Sequence, residues 1–213
     1  MRLYLSSFRN GNKPEELLKM LGGGKRTALI CNAMDMVEET ARVESNEREA
    51  ERISGIGLQP EEIDLREYFG KTEALGEKLS HFDCIWARGG NTFVLRRAYK
   101  QSGFDELLKE LLAKDSIVYA GYSAGICLLA PTLRGLEIVD DSNIAPEGYD
   151  AEIIWDGLGL IPYSIAPHYK SDHPESAMID TTVEYFEKHN MPFKALRDGE
   201  AIVVDGEKEW IAA

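Results

Sequence analysis

Ser116-Ile117-Val118-Tyr119-Ala120-Gly121-Tyr122-Ser123-Ala124-Gly125-Ile126-Cys127-Leu128-Leu129, closed by Pro131, is the stretch on which the reading of the fold turns. Its opening, Ile117 to Ala120, is a short apolar run with β-branched and aromatic side chains, as a strand buried on both faces requires. Two glycines then bracket a serine. The apolar pattern resumes as a short helix that Pro131 ends, because proline lacks the amide a helix needs. Strand, sharp turn and helix in that order is the repeating unit of a parallel sheet.

The same alternation extends in both directions. Upstream, strands are expected at Arg2 to Phe8, Thr27 to Cys31, Glu62 to Leu65 and Phe82 to Ala87. Helices are expected between them, at Pro14 to Met20 with proline in the first turn, at Met36 to Ile53, and at Glu73 to Leu79. Two more, one running through Leu95 and Tyr99 and one from Asp105 to Ala113, lead into the central strand. Downstream the alternation weakens. Residues 132–165 read as loop and short strands, followed by a strand-like Tyr163 to Pro167, a helix from Pro174 to Lys188, and terminal strands at Ala201 to Val204 and at Trp210-Ile211. Short apolar strands separated by helices predict an α/β fold with a mostly parallel sheet covered on both faces. Sites in such sheets form where the strands deliver their carboxyl ends. The glycine-rich turns at 89–90 and 121–125 both lie at such ends.

The chain has 213 residues, 44% of them hydrophobic, which suits one domain over 1–213 with a full core. No run is long and apolar enough to span a membrane, and Met1 to Phe8 reads as a first strand and not as a signal peptide. Three widely spaced cysteines, Cys31, Cys84 and Cys127, each among apolar neighbours, read as buried thiols of a reducing compartment, and the cytoplasm is expected. With 37 acidic against 24 basic residues, the net charge of −13 repels nucleic acid and anionic lipid, so neither is an expected partner.

Gly121-Tyr122-Ser123-Ala124-Gly125 has the form of a turn that lifts a serine hydroxyl out of the backbone, with small residues two before and two after to relieve crowding. The Ala124 amide then lies beside Ser123 at a helix start, as an oxyanion donor would. Gly89 or Gly90 is the second candidate donor, since glycine lets a backbone amide approach a substrate closely. A nucleophilic serine needs a base. Of the four histidines, His189 lies near a helix end and His81 precedes a strand, at the wrong end of the sheet. His173 adjoins Pro174 at a helix start. His168 follows the strand-like run 163–167 and is the expected base, with His173 a distant second. The carboxylate that orients it is open among Asp140, Asp141 and Asp198. His168 and His173 lack a recognisable metal-ligand spacing, and neither metal nor cofactor is expected.

Taken together, Gly89-Gly90-Asn91-Thr92-Phe93-x-Leu95, Gly121-Tyr122-Ser123-Ala124-Gly125 with Pro131 eight residues after the serine, and Pro167-His168 resemble the peptidase E (aspartyl dipeptidase) family. The resemblance covers most of the chain. It implies a flavodoxin-like, three-layer α/β/α domain similar to class I glutamine amidotransferases, and peptide-bond hydrolysis through an acyl-enzyme on Ser123. It further implies His168 as the histidine, and Gly90 or Gly89 with Ala124 as the oxyanion hole. The family's carboxylate falls near Asp141 or Asp140, with Asp198 the match near the C-terminal strand. Two departures stand out. Arg88 occupies a position where relatives usually have glycine. The family's aspartate-reading arginine, downstream of the histidine, has no counterpart between Tyr169 and His189, where only Lys170 and Lys188 are cationic. Strict preference for N-terminal aspartate is therefore not expected. Asn91, Arg88 and Lys170 are the candidate substrate contacts, a small peptide substrate is the expected partner, and the protein is expected to be a monomer or small homo-oligomer. Two other readings share the serine turn: an α/β-hydrolase-type esterase, and a non-catalytic ligand-binding protein on the same shell.

Overall fold

The computed structural model describes residues 1–213 and opens with strand β1, Arg2–Ser6, whose residues 3–6 are all buried. Helix α1 follows at Pro14–Leu21, with Pro14 in its first turn and Gly22 in the left-handed conformation just past its end. Strand β2 is Arg26–Ile30 and helix α2 is Glu39–Gly55. The latter begins three residues later than the pattern predicts: Asn32–Met34 forms a separate 3₁₀ turn, and the Glu38 side chain caps the helix by accepting from the Ala41 amide. Strand β3 is Gln59–Glu62, upstream of the expected Glu62 to Leu65. The chain leaves the sheet there because Asp64 accepts from the Arg66 amide and Asn32 Oδ1 from the Leu65 amide, which turns the backbone into a 3₁₀ segment.

Helix α3, Thr72–Leu79, leads to β4, Cys84–Ala87, and then to α4, Thr92–Ser102, and α5, Phe104–Ala113. Strand β5 is Val118–Tyr122, and the short helix α6, Ala124–Cys127, starts directly after Ser123. The long segment that follows contains only a 3₁₀ turn, Leu136–Ile138, and an isolated bridge between Thr132 and Asp156. Strand β6 is Ser164–Ala166, helix α7 is Ser176–Lys188, and β7 is Phe193–Ala195. A hairpin of β8, Ala201–Asp205, and β9, Lys208–Ala212, completes the fold.

Seven strands form one sheet in the order β3-β2-β4-β5-β1-β8-β9. The first five run parallel, β8 runs against them and β9 turns back antiparallel to β8, so the mostly parallel α/β sheet expected from the alternation is present. Each face carries its own core. Leu17 of α1 and Ile53 of α2 pack with Leu29, Trp86 and Val203 on one side. The larger cluster on the other side joins Leu3, Ile85 and Tyr119 to side chains of α3 through α7. Strand alternation sends successive side chains to these two layers, which makes the three-layer α/β/α arrangement. Strand β6 pairs in parallel with β7 in a separate two-stranded sheet, so it reaches the site from outside the main sheet. No helix is long and apolar enough to cross a membrane.

Candidate active site

Four parallel strands end side by side, and the residues just beyond them converge. Phe8 comes from the loop after β1, Met34 from that after β2, Arg88, Gly89 and Gly90 from that after β4, and Ser123 from the end of β5. The segment after β6 adds His168, His173 and Glu175, and together with Tyr122 these residues line an open cleft of about 180 Å³.

Ser123 holds φ 50° and ψ −121°, a conformation that costs a residue with a side chain about 1–3 kcal/mol. The surrounding structure enforces it. Ala87 of β4 pairs with Gly121 of β5, and a Cβ at Gly121 or Gly125 would lie 2.3 or 2.1 Å from the Ala87 carbonyl oxygen. Only glycine at both places lets the turn sit this close to the neighbouring strand. Gly89 closes the other side: a Cβ there would lie 2.9 Å from Ser123 Cβ. Gly90 adopts φ 146°, and a side chain on it would collide with the Ala33 carbonyl at 2.4 Å. Neither the Gly89 nor the Gly90 amide takes part in the backbone hydrogen bonds of turns and loops, so both are available beside the serine. The Ala124 amide opens α6 on the same turn.

His168, only 1% exposed, sits at φ 59°. Its Nδ1 lies 2.7 Å from Asp198 Oδ1. Ser7 ties the pair down from β1: its hydroxyl donates to Asp198 Oδ1 at 2.9 Å and accepts from the His168 amide at 2.8 Å. The Asp198 amide in turn donates to Ser171 Oγ at 2.8 Å. Phe8 sets its edge against both the His168 and His173 rings. Burial pushes the His168 pKa below its ordinary value, against the Asp198 carboxylate, which favours the charged form. The imidazole is accordingly neutral near pH 7, able to accept a proton.

Of the three carboxylates the sequence leaves open, Asp198 is the one the fold brings to His168. Asp140 instead accepts from the Thr92 amide at 2.8 Å, and burial raises its carboxyl to about 6. Asp141 is exposed and accepts from the Asn143 amide, while its own carbonyl accepts from Asn91. The candidate substrate contacts divide in a similar way. Asn91 caps α4 by accepting from the Phe93 and Val94 amides, and so turns its oxygen away from the cleft. Lys170 is exposed, stacked over Tyr169, and does not line the cleft. Arg88 does. His168, His173 and Glu175 present ligand atoms within 4.8 Å of one another, the one grouping that could be considered for a metal. The two imidazoles, however, stack face to face at 3.7 Å and 7°, so their lone pairs run side by side and do not converge on one ion.

Ser7, Phe8, Ser171 and Glu175 escape the reading of the sequence. Ser7 and Phe8 carried a usable signal, since they follow a parallel strand at its carboxyl end; the other two belong to an irregular loop without one.

The sequence matches the model of peptidase family S51 over residues 5–211. The chain belongs to this family. It is thus a serine-type peptidase, as the motifs imply. An uncharacterized peptidase of Listeria monocytogenes is 30% identical over 190 residues, 87% of this chain and 84% of that protein. A peptidase E of Streptomyces coelicolor is 30% identical over 136 residues, covering 62% of this chain and 52% of the relative. A Drosophila melanogaster protein designated a probable alpha-aspartyl dipeptidase is 30% identical over 138 residues, covering 62% of this chain and 54% of its own. The matched segment therefore spans about half of each of these last two proteins. Among solved structures, a Listeria monocytogenes protein assigned as a peptidase E superposes with a TM-score of 0.76 at 26% identity, covering 99% of this chain and 97% of its own. A peptidase from an acI-B1 actinobacterium shares the fold, with a TM-score of 0.72 at 14% identity.

Proposed function

We propose that this S51 peptidase hydrolyses short peptides through an acyl-enzyme on Ser123. The observation that carries the reading is that a serine held at positive φ and a buried histidine line one cleft, with a carboxylate bonded to Nδ1 of that histidine. With Nδ1–H donating to Asp198, the His168 lone pair lies on Nε2. His168 takes the Ser123 proton as Oγ attacks the scissile carbonyl carbon. The oxyanion is held by the amides of Ala124 and Gly90, or Gly89. As the C–N bond breaks, His168 returns the proton to the leaving amine. Water, deprotonated by the same imidazole, then releases the acyl group and regenerates Ser123. Asp198 stabilises the imidazolium at each proton transfer. Asp140 and Asp141 have no part in this scheme.

Family membership supports peptidase over esterase chemistry, and the face-to-face stacking of His168 and His173 supports a site without metal. The three cysteines are free and buried, which fits a reducing compartment, so the proposal includes a cytoplasmic enzyme acting on small peptides as a monomer or small homo-oligomer. The missing downstream arginine argues against strict Asp-Xaa specificity. A panel of dipeptides and tripeptides differing in the first residue, assayed with wild type and Ser123→Ala, tests the reading. Turnover by wild type that Ser123→Ala abolishes is expected; turnover that survives in Ser123→Ala would remove the serine from the mechanism.

A further inference from the structure

Arg88 is 8% exposed and makes no ion pair. Its guanidinium is held by neutral groups alone: Nη1 donates to Asn46 Oδ1 at 2.9 Å and Nη2 to Ser45 Oγ at 3.2 Å, while the buried Nε–H has no partner. The acids in reach of the same helix are engaged elsewhere. Glu49 accepts from Trp86 Nε1 and Tyr122 Oη and pairs with Arg52, and Glu62 accepts from Asn46. Taking a cation out of water without a counter-charge is costly, and neutral hydrogen bonds recover only part of that cost. A guanidinium that is buried, held by two side chains of α2 and left without an anion, on a residue that lines the cleft of the candidate nucleophile, is suited to an anion.

We propose that Arg88 is a specificity-determining residue that receives a carboxylate of the substrate. This inference rests on the reading of Ser123 as nucleophile. The planar fork of arginine matches a carboxylate with two parallel N–H···O bonds, and burial makes such a pair far more selective than one at an exposed lysine. Two substrate groups have this chemistry: an acidic side chain on the acyl residue and the free terminal carboxylate of the leaving residue. Arg88, Gly89, Gly90 and Ser123 line the same cleft, so a single short peptide can reach both the arginine and the serine in either case.

The test is a set of short peptides in which each carboxylate is neutralised separately, Asp to Asn in the acyl residue and terminal acid to amide, assayed with wild type, Arg88→Gln and Arg88→Lys. For wild type, one of the two replacements should lower kcat/KM by about 10- to 100-fold, mainly through KM. Which one does so identifies the group. Arg88→Gln should lose that discrimination, Arg88→Lys should keep part of it, and Arg88→Gln should melt no lower than wild type because a buried uncompensated charge is removed. The proposal is overturned if wild type is indifferent to both replacements, or if Arg88→Gln keeps full discrimination. It is also overturned if Arg88→Gln loses charged and neutral peptides equally with a lowered melting temperature, the mark of a structural role. Should Arg88→Gln not fold, the wild-type panel and Arg88→Lys decide by the same criteria. Fluorophosphonate labelling of wild-type Ser123 keeps the two readings apart: labelled protein without carboxylate discrimination sinks only the role of Arg88, whereas folded protein that does not label sinks the serine mechanism beneath it.

Discussion

At the scale of single residues, the pairing of His168 with Asp198 makes the sharpest distinction. Asp198→Asn keeps the shape but offers Nδ1 the wrong partner, and kcat/KM should fall by about 10²- to 10⁴-fold. Asp141→Asn should leave activity near wild type, since Asp141 faces solvent and holds only its own turn. Asp140→Asn should do the same and also change stability. The folded-state carboxyl of Asp140 is raised to about 6, above its unfolded value of 3.8, so its contribution is fully present below 3.8 and is lost as pH rises through 6. Removing the charge should therefore stabilise the protein at pH 7, by at most about 3 kcal/mol, and not at pH 4. Thermal melts at the two pH values check this, and equal shifts at both would contradict it. The lowered pKa of His168 bears on activity: the acid limb of kcat/KM should have its half-point below 6.5, and a half-point above that value would contradict a buried, neutral base.

Elements are where sequence and structure agree best and where the reasons for disagreement are clearest. The Ser116 to Leu129 stretch declares strand, turn and helix, because the apolar period changes from strand-like to helical across two glycines. The structure adds the physical reason for those glycines, the Ala87 carbonyl packed against both. Gly121→Ala and Gly125→Ala should each destabilise the fold by about 2 kcal/mol or more, because backbone on the adjacent strand cannot yield as a flexible side chain would. Denaturant titration measures this, and a change under 0.5 kcal/mol would contradict it. Helix α2 is less legible. Its buried face carries Arg42, Asn46 and Glu49, so its apolar pattern is faint although Trp86, Arg88 and Tyr122 bond to it from beneath. The position of His168 is legible only as a strand end, since nothing local says that β6 pairs with β7 and not with the main sheet. The choice of Asp198 is likewise a matter of three-dimensional approach. All three aspartates sit in polar turns of similar composition, and only contact with Ser7 and His168 separates them.

For the molecule as a whole, the two chain ends meet. β1 lies between β5 and β8, so the hairpin at residues 201–212 covers the flank of the strand that delivers Ser7 and Phe8, while Asp198 precedes that hairpin by three residues. The C-terminal hairpin and the site thus share one strand, and the two are expected to unfold together. A chain ending at Glu200 loses the buried Ala201, Ile202 and Val203 and exposes the β1 edge, and it should show no cooperative urea transition. A cooperative transition in the truncated chain would contradict this coupling. The most direct measurement of the central claim is covalent labelling with a fluorophosphonate, followed by intact mass and peptide mapping. A single adduct on Ser123 is expected in wild type, absent in Ser123→Ala and formed at least about 100-fold more slowly in Asp198→Asn. Folded wild-type protein that takes no adduct, or takes it elsewhere than Ser123, would contradict the account.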